Sequence, residues 1–580
     1  MLLRHIPIYL LIVLNLSVHT LFSQDEIFKT HFEKSNGTET PEYAETIDFY
    51  KKLATHFQTV EIKEMGVTDS GFPLHIVLFN PDRNFDFNNL QKTKRIILIN
   101  NGIHPGESDG IDASMLLFRD LATGKIKNPE GTILATIPVY NIGGALQRNS
   151  TTRTNQNGPK EYGFRGNARN YDLNRDFIKN DTKNARSFAK IFHLVNPDVF
   201  IDTHVSNGAD YQYTLTHLLT QHNKLGGALG GYWHEKFQPQ LEQSLQLKNW
   251  DITPYVNVWG TTPDKGWTQL MDAPRYSTGY TTLWNTLGLM VETHMLKSYE
   301  KRVTGTYELL KSVITIVESD GEKIRKLRND QFDVYKNLIE YPVQWKADTS
   351  KHSTLRFKGY EGTYTSSQLT GKKRLKYDAS KPYQKDVHYR DYFTPTKKIE
   401  VPKTYVIPQG WWQVIELLKI NNIELKTLRK DTVISVQSYE IKNYKTVQKP
   451  YEGHYTHYNT EIEKTLENRT FKKGDFLISL PQKGMRYLME TLEPEAIDSF
   501  FNWNFFDTIL QQKEHFSPYV WEDKALEILK NNPALKQEFE AQKKDTAFAN
   551  DSYQQLDWLH KKSAHYEKAH LQYPVYRILR

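Results

Sequence analysis

Four apolar runs in the first 330 residues have the length and composition of buried β-strands. They span residues 95–100, 132–140, 197–203 and 288–292. A loop rich in Gly and Pro follows the first run, and the helical spacing of 111–121 comes next. This alternation of strands with amphipathic stretches predicts an α/β domain over residues 41–330.

Polar residues follow or end three of the predicted strands. His104 and Glu107 come after the first strand, His204 follows the third and Glu292 ends the fourth. Open α/β sheets bind their ligands outside the carboxyl ends of the strands. We therefore expect a functional site at this edge of the sheet.

The pattern changes beyond about residue 330. A Lys- and Tyr-rich stretch occurs at 372–383 and a β-prone run at 433–444, while 409–418, 500–512 and 521–531 have helical spacing. Residues 331–580 are therefore predicted to form an α+β accessory region, whose role the sequence does not indicate.

The N-terminus has the pattern of an export signal. A short basic start precedes an apolar run over 6–22, and acidic residues follow it. This predicts a signal peptide over 1–23 and a periplasmic or extracellular protein. The alternative is an uncleaved anchor, since seventeen residues approach the length that spans a bilayer. No later run is long enough, so no stable membrane span is expected after cleavage.

Composition limits the kinds of metal ligand and binding partner that the chain can have. The chain has no Cys, so any metal must be held by His, Asp or Glu. Its 75 basic and 68 acidic residues give a net charge of +7 that is too diluted to predict a nucleic-acid surface. Oligomeric state is not indicated by the sequence.

The segment His104-Pro-Gly-Glu107 can bring an imidazole and a carboxylate to one cation. Together with His204 it would supply the His-His-Glu ligand set of a hydrolytic zinc site, with one open position. Glu292 could act there as the general base. Taken singly, His204 and Glu292 are more typical of structural residues at strand ends.

Four segments in one order carry a resemblance to a known family. His104-x-x-Glu107, Asp172-Leu-Asn174-Arg175, His204 and Glu292 resemble the signatures of the zinc metallocarboxypeptidases, the carboxypeptidase A-like or funnelin family. The resemblance covers about residues 41–310. It implies a three-layer α/β/α domain around a mixed, mainly parallel sheet, in a bacterial secreted member with a C-terminal extension.

The resemblance also implies residue roles. One Zn²⁺ per chain would be bound by His104, Glu107 and His204, with Glu292 as general base. Asn174 and Arg175 would bind the terminal carboxylate of a peptide substrate, because a guanidinium fork matches a carboxylate.

For the remaining implied roles, the sequence offers more than one residue. Arg165 would stabilise the oxyanion, although Arg153 and Arg169 are alternatives. Tyr276 is favoured over Tyr280 as the tyrosine that assists substrate binding. Ser277 lies near the expected floor of the specificity pocket, and so it leaves the preferred terminal residue open.

The leading interpretation is a zinc metallocarboxypeptidase that hydrolyses the C-terminal peptide bond. Two alternatives stay open. The same site could belong to an amidohydrolase acting on envelope muropeptides or N-acyl amino acids, or the fold could serve as an inactive module that binds peptide or glycan.

Overall fold

A computed structural model describes residues 26–580. The predicted signal peptide at 1–23 lies outside the described residues. Within the described part of the chain, no helix is both long enough and apolar enough to cross a bilayer.

The N-terminal half is organised around an eight-stranded sheet with the strand order β1-β2-β4-β3-β5-β9-β6-β7. Strands β4, β3, β5 and β9 run parallel to one another, and this group pairs antiparallel with β2 on one side and with β6 on the other. The strands are β1 Val60–Val67, β2 Pro73–Phe79, β3 Arg95–Asn100, β4 Thr132–Ile137, β5 Val199–Ser206, β6 Leu215–Leu219, β7 Ile252–Pro254 and β9 Leu287–His294; the short β8, Trp267–Thr268, pairs elsewhere.

Helices cover both faces of this sheet. The helices Asp109–Ala122 and Tyr299–Lys336 pack together on one face, and Lys183–Val195 and Ser277–Thr282 cover the other. These layers confirm the predicted fold class of an α/β/α domain with a mixed sheet that is parallel at its centre. The remaining α-helices of this half are His31–Lys34, Tyr43–His56, Phe87–Thr93, Ile142–Ala145, His222–Leu225, Gly227–Tyr232 and Gln238–Gln246.

The C-terminal half contains long antiparallel hairpins and a six-stranded sheet, as the α+β prediction requires. Its strands are β10 Glu340–Ala347, β11 Ser353–Ser366, β12 Lys373–Arg390, β13 Phe393–Glu400, β14 Thr404–Ile407, β15 Lys426–Thr427, β16 Thr432–Thr446, β17 His457–Phe471, β18 Phe476–Ser479 and β19 Tyr576–Ile578. Its α-helices are Trp412–Ile420, Met485–Leu492, Pro518–Asn531, Pro533–Gln542, Thr546–Ala549 and Ser552–Lys561. The predicted strand at 433–444 and helices at 409–418 and 521–531 are thereby confirmed.

The prediction of a helix at 500–512 is wrong. This segment consists of turns with one short 3-10 helix, Asp507–Leu510. The amide side chain of Asn502 donates to two backbone carbonyls that precede it, and Asn504 has a left-handed φ of 66°. Local side-chain bonds of this kind compete with helix formation. The buried aromatic residues that suggested a helix instead pack into the tertiary core.

One hydrophobic core runs through both halves of the described chain. It extends from Phe28 near the start to Val575 near the end. At the boundary, the rings of Trp284 and Tyr487 stack with centroids 5.8 Å apart. The C-terminal half therefore packs against the elements that carry the site residues.

Candidate metal centre and substrate cleft

Three buried side chains offer ligand atoms to a common point at the carboxyl edge of the sheet. His104 and Glu107 lie on the loop after β3, and His204 lies near the end of β5. Their ligand atoms all lie within 4.8 Å of one another. The Nδ1 atoms of His104 and His204 lie 3.3 and 3.0 Å from Oε2 of Glu107. Two imidazole nitrogens and a carboxylate oxygen fit a divalent transition metal.

Two aspartates hold the histidine rings in this orientation. Nε2 of His104 lies 2.9 Å from Asp172, and Nε2 of His204 lies 2.9 Å from Asp202. A carboxylate on the far nitrogen fixes the tautomer and makes the near nitrogen a better ligand. Both Nδ1 atoms are therefore available to bind a metal ion.

The electrostatics of the centre favour a cation. Burial favours the neutral form of His204, yet Asp202, Glu107 and Glu292 raise its pKa well above the usual value. Burial also opposes ionisation of Glu107, but Arg153 and His104 lower its pKa well below the usual range. The carboxylates thus draw positive charge to the place where a metal would bind.

Glu292 lies beside the three grouped ligands and is partly exposed. It pairs in register with His204 across β5 and β9, so the two side chains lie on the same face of the sheet. Burial raises the pKa of the Glu292 carboxyl to about 8. A carboxyl that is surrounded by protein yet faces the cleft is suited to exchange a proton during catalysis.

Arg165 reaches the same centre from the loop before the Asp172 turn. Its guanidinium lies 2.9 Å from Asp172 and 3.5 Å from Glu107, and its side chain is 42% exposed. Arg153, the alternative considered from sequence, is bound to Glu107 at 2.7 Å and is much less exposed. Arg169 is exposed and stacks on Tyr171. Of the three arginines, Arg165 both contacts the ligand residue Glu107 and keeps a partly exposed guanidinium.

Asn174 and Arg175 lie together on a short 3-10 turn capped by Asp172. The Arg175 guanidinium lies 4.6 Å from the ring centroid of Tyr276, which orients it by a cation–π contact. Oδ1 of Asn174 accepts a hydrogen bond from the backbone of Ser277. The turn and the segment carrying Tyr276 therefore form one wall of the cleft.

Tyr280, the other tyrosine candidate, does not face the cleft. It is fully buried, and its hydroxyl hydrogen bonds with Asn421 and His193. His454 and His457, which are three residues apart, bind Asp181 and Asp507 separately and form no metal site.

The C-terminal half contacts both loops of the cleft wall. Oε2 of Glu452 accepts a hydrogen bond from the backbone NH of Asp172 at 2.9 Å. The buried Asp498 accepts hydrogen bonds from the backbone NH and Nε of Arg275, next to Tyr276. The guanidinium of Arg275 also stacks on Trp503 at 4.9 Å. Residues far from these loops in sequence thus fix the segments that carry Arg175 and Tyr276.

Replacing Asp498 by Asn should destabilise the protein and weaken substrate binding. The change leaves Arg275 largely buried without its counter-charge, at a cost of roughly 2–4 kcal/mol. We expect KM to rise more than kcat falls, because the altered loop carries Tyr276 rather than Glu292. Urea unfolding and steady-state kinetics measure both effects. Asp523→Asn, on an exposed position of the same half, is the matched control; equal behaviour of the two variants would contradict the supporting role.

Sequence reasoning missed several groups of this site. Asp202 lies two residues before His204 on β5, so the twofold strand period places both on one face and could have revealed it. Tyr255 is near Glu292, Glu107 and Arg165, and burial raises its pKa. No local pattern points to Tyr255, because only the tertiary fold brings it near these groups.

The site is a buried two-histidine, one-carboxylate centre flanked by a carboxyl group and two arginines, in an α/β fold with a mixed sheet. No family model matches the chain. It is 22% identical over 498 residues to carboxypeptidase 2 of Trichophyton rubrum, a match that spans 80% of this chain and 84% of that protein. With carboxypeptidase 2 of Trichophyton equinum it shares 21% identity, over 70% of this chain and 72% of that protein. These spans exceed the first 330 residues, so the similarity extends into the C-terminal half.

Solved structures with a similar arrangement include two proteins named carboxypeptidase A. A putative carboxypeptidase A from Shewanella denitrificans is 17% identical, with a TM-score of 0.35, and the match covers 47% of this chain and 69% of that one. The carboxypeptidase A of Helicoverpa armigera is 14% identical, with a TM-score of 0.38, and the match covers 52% of this chain and 81% of that one.

Proposed function

We propose that this protein is an exported zinc metallocarboxypeptidase that hydrolyses the C-terminal peptide bond of peptides. The observation that carries the proposal is the meeting, in one cleft, of the His104, Glu107 and His204 donor set with Glu292 and Arg175. The similarity to proteins named carboxypeptidase 2 supports it.

Substrate binding follows from the groups of the cleft wall. Arg175 presents a planar pair of donors to the terminal carboxylate, and Asn174 adds a neighbouring amide. Tyr276 holds the Arg175 guanidinium in place by its cation–π contact. Because these groups recognise a free carboxylate, they select the last residue of a chain over internal positions.

The chemistry then uses the three ligand residues and the groups beside them. Zinc bound by His104, Glu107 and His204 would polarise the scissile carbonyl and make water more acidic. Glu292 accepts the proton of the attacking water and delivers it to the leaving amine. Arg165 places a fixed positive charge where negative charge develops on the carbonyl oxygen. Asp172 and Asp202 keep the ligand rings oriented throughout.

Metal removal tests the proposal. Treatment with 1,10-phenanthroline should reduce the release of C-terminal residues to background, roughly 10³-fold or more, and one equivalent of Zn²⁺ should restore it after the chelator has been removed. The non-chelating 1,7 isomer is the matched control. Peptide hydrolysis that survives chelation, or protein that takes up no zinc, would refute a zinc peptidase.

A further inference from the structure

A basic pocket with a volume of about 440 Å³ lies at the edge of the eight-stranded sheet opposite to the metal centre. Arg95 begins β3 and Asp198 directly precedes β5, so these two lining residues are at the amino ends of their strands. His204 is six positions after Asp198. At about 3.3 Å per strand residue, the two edges are roughly 20 Å apart. A ligand in this pocket therefore does not touch the metal centre.

Positive charge dominates the lining of the pocket. Among the described residues that line it, Asp198 is the one acid, and the basic residues are Lys92, Arg95, Arg325, Arg328 and Lys483. Oδ1 of Asp198 lies 2.6 Å from Nη1 of Arg328 and 3.5 Å from Nη1 of Arg95. Glu322, which does not line the pocket, pairs with Arg325. Two carboxylates thus serve five cations, so the pocket keeps an excess of positive charge.

Arg95 supplies part of this charge from the buried side of the pocket. Its side chain is only 3% exposed, and its stem lies so close to Gly321 that a Cβ there would be 2.8 Å from Cγ of Arg95. Among residues 26–580, nothing hydrogen bonds with Nη2 of Arg95. Burial lowers the pKa of Arg95, and although Asp198 offsets part of this effect, Arg325 and Arg328 add to it. A buried guanidinium with an unmade hydrogen bond and cationic neighbours is costly, and an anion beside it would stabilise it.

Two exposed lysines from distant parts of the chain complete the lining. Lys92 lies on the helix Phe87–Thr93, and Lys483 lies in the C-terminal half just before the helix Met485–Leu492. Partial burial lowers the pKa of Lys483, and the charges of Arg328 and Lys336 lower it further. Cations that repel one another around an open pocket are stabilised by an anion placed between them.

We propose that this pocket binds a doubly charged phosphate group, either inorganic phosphate or the phosphate end of a monoester. Guanidinium groups present paired donors that match phosphate oxygens, and lysine ammonium groups add point charges. Because Lys483 belongs to the C-terminal half and the other four cations to the N-terminal half, the bound group joins the two halves. The site is separate from the proposed peptidase centre and does not depend on that function.

Equilibrium dialysis of the zinc-loaded protein against radiolabelled inorganic phosphate tests the proposal. The pocket should bind one phosphate per chain in a saturable manner, with an affinity that falls as NaCl is added. Lys92→Gln and Lys483→Gln should each weaken this binding about 10-fold, and the double variant about 100-fold, because each change removes one charge-assisted contact. Both side chains are exposed, so the variants should keep the wild-type fold.

Lys326→Gln is the matched control for charge. Lys326 is exposed, pairs with Asp330 and lies on the same helix as Arg325, but it does not line the pocket. Its variant should bind phosphate like the wild type. An equal loss of affinity in Lys326→Gln and Lys483→Gln would show only a general attraction of anions and would overturn the proposal.

Arg175→Gln separates this pocket from the metal centre, where phosphate could also bind. The change removes the cation of the carboxylate site and leaves the amino edge of the sheet untouched, so phosphate binding at the pocket should persist. Absence of saturable binding to the wild type would contradict the proposal. Binding that Arg175→Gln abolishes, while the double variant of Lys92 and Lys483 retains it, would do the same.

Competition identifies the source of the phosphate group. Unlabelled glycerol 3-phosphate should displace the labelled ion as well as unlabelled phosphate does if the pocket accepts a monoester, and far less well if it accepts the free ion. Succinate carries its two charges on separate groups, so it should compete at least about 10-fold more weakly than phosphate. Equal competition by succinate would mean that the pocket does not recognise phosphate.

Discussion

Replacing Glu292 by Gln should lower kcat by about 10³-fold while the protein keeps its fold and its zinc. Gln has nearly the same shape but cannot accept the proton of the attacking water, and general base catalysis contributes roughly 10²–10⁴-fold. Glu292 is not one of the three grouped ligands, although it is in register with His204. KM should change little, because Arg175 and Asn174 bind the substrate. The rate of hippurate release from a hippuryl substrate gives kcat and KM, and zinc analysis of the same sample gives the metal content.

Glu300→Gln serves as the control for this variant. Glu300 is exposed and lies a few residues beyond Glu292, at the start of the helix Tyr299–Lys336. It should retain full activity. If Glu292→Gln stays within tenfold of wild type, another group must act as the base; if it loses zinc, Glu292 contributes to metal binding instead.

The second large effect is expected at Arg165. Arg165→Met should lower kcat by about 10²–10³-fold, or roughly 3–4 kcal/mol of transition-state stabilisation, with a smaller change in KM. The guanidinium is positioned by Asp172 and stays partly exposed toward the cleft, so it can meet the charge that appears only on the reacting oxygen. Arg165→Lys should recover part of the loss, since it restores charge without the planar fork.

Arg169→Met separates this role from a general electrostatic effect. Arg169 lies in the same loop but points away to stack on Tyr171. Its variant should keep activity within a few-fold of wild type. Because Arg165 also contacts Asp172, which holds His104, zinc content is measured in every variant. Equal losses in the two variants, or activity lost only in proportion to zinc, would contradict an oxyanion role for Arg165.

Site residues could be predicted from the sequence where they lie close together in the chain or at the ends of apolar runs. His104 and Glu107 are three positions apart on one turn, and His204 and Glu292 end apolar runs that could be recognised as strands. Their convergence follows from the rule that parallel strands place their carboxyl ends at one edge. The bounds of β3 and the end of the helix Pro518–Asn531 could be predicted for the same local reason, whereas that helix begins three residues before the predicted start at 521.

The features of the site and fold that were not predicted depend on contacts between distant parts of the chain. The buried Asp272 carboxyl has no hydrogen-bond partner among residues 26–580, and no sequence pattern indicates this. Glu452 and Asp498 reach the cleft walls across about 280 and 223 positions. The aromatic run at 500–512 resembled a helix because its apolar spacing reflects tertiary packing around Asn502 and Asn504, not a helical face.

The C-terminal half therefore has a structural part in the site. Its contacts with Asp172 and Arg275 fix the two loops that present Arg175 and Tyr276. The match to the fungal relatives also runs past the first 330 residues. We therefore expect the two halves to unfold and act as one unit.

The most direct test of a C-terminal exopeptidase compares one peptide in two forms. A decapeptide that ends in Lys, with a free carboxylate or with an amide, is incubated with the zinc-loaded protein and followed by mass spectrometry. The account predicts loss of the terminal residue from the free acid and at least about 100-fold slower cleavage of the amide, because Arg175 and Asn174 require the carboxylate. Internal cleavage, or equal cleavage of both forms, would contradict it.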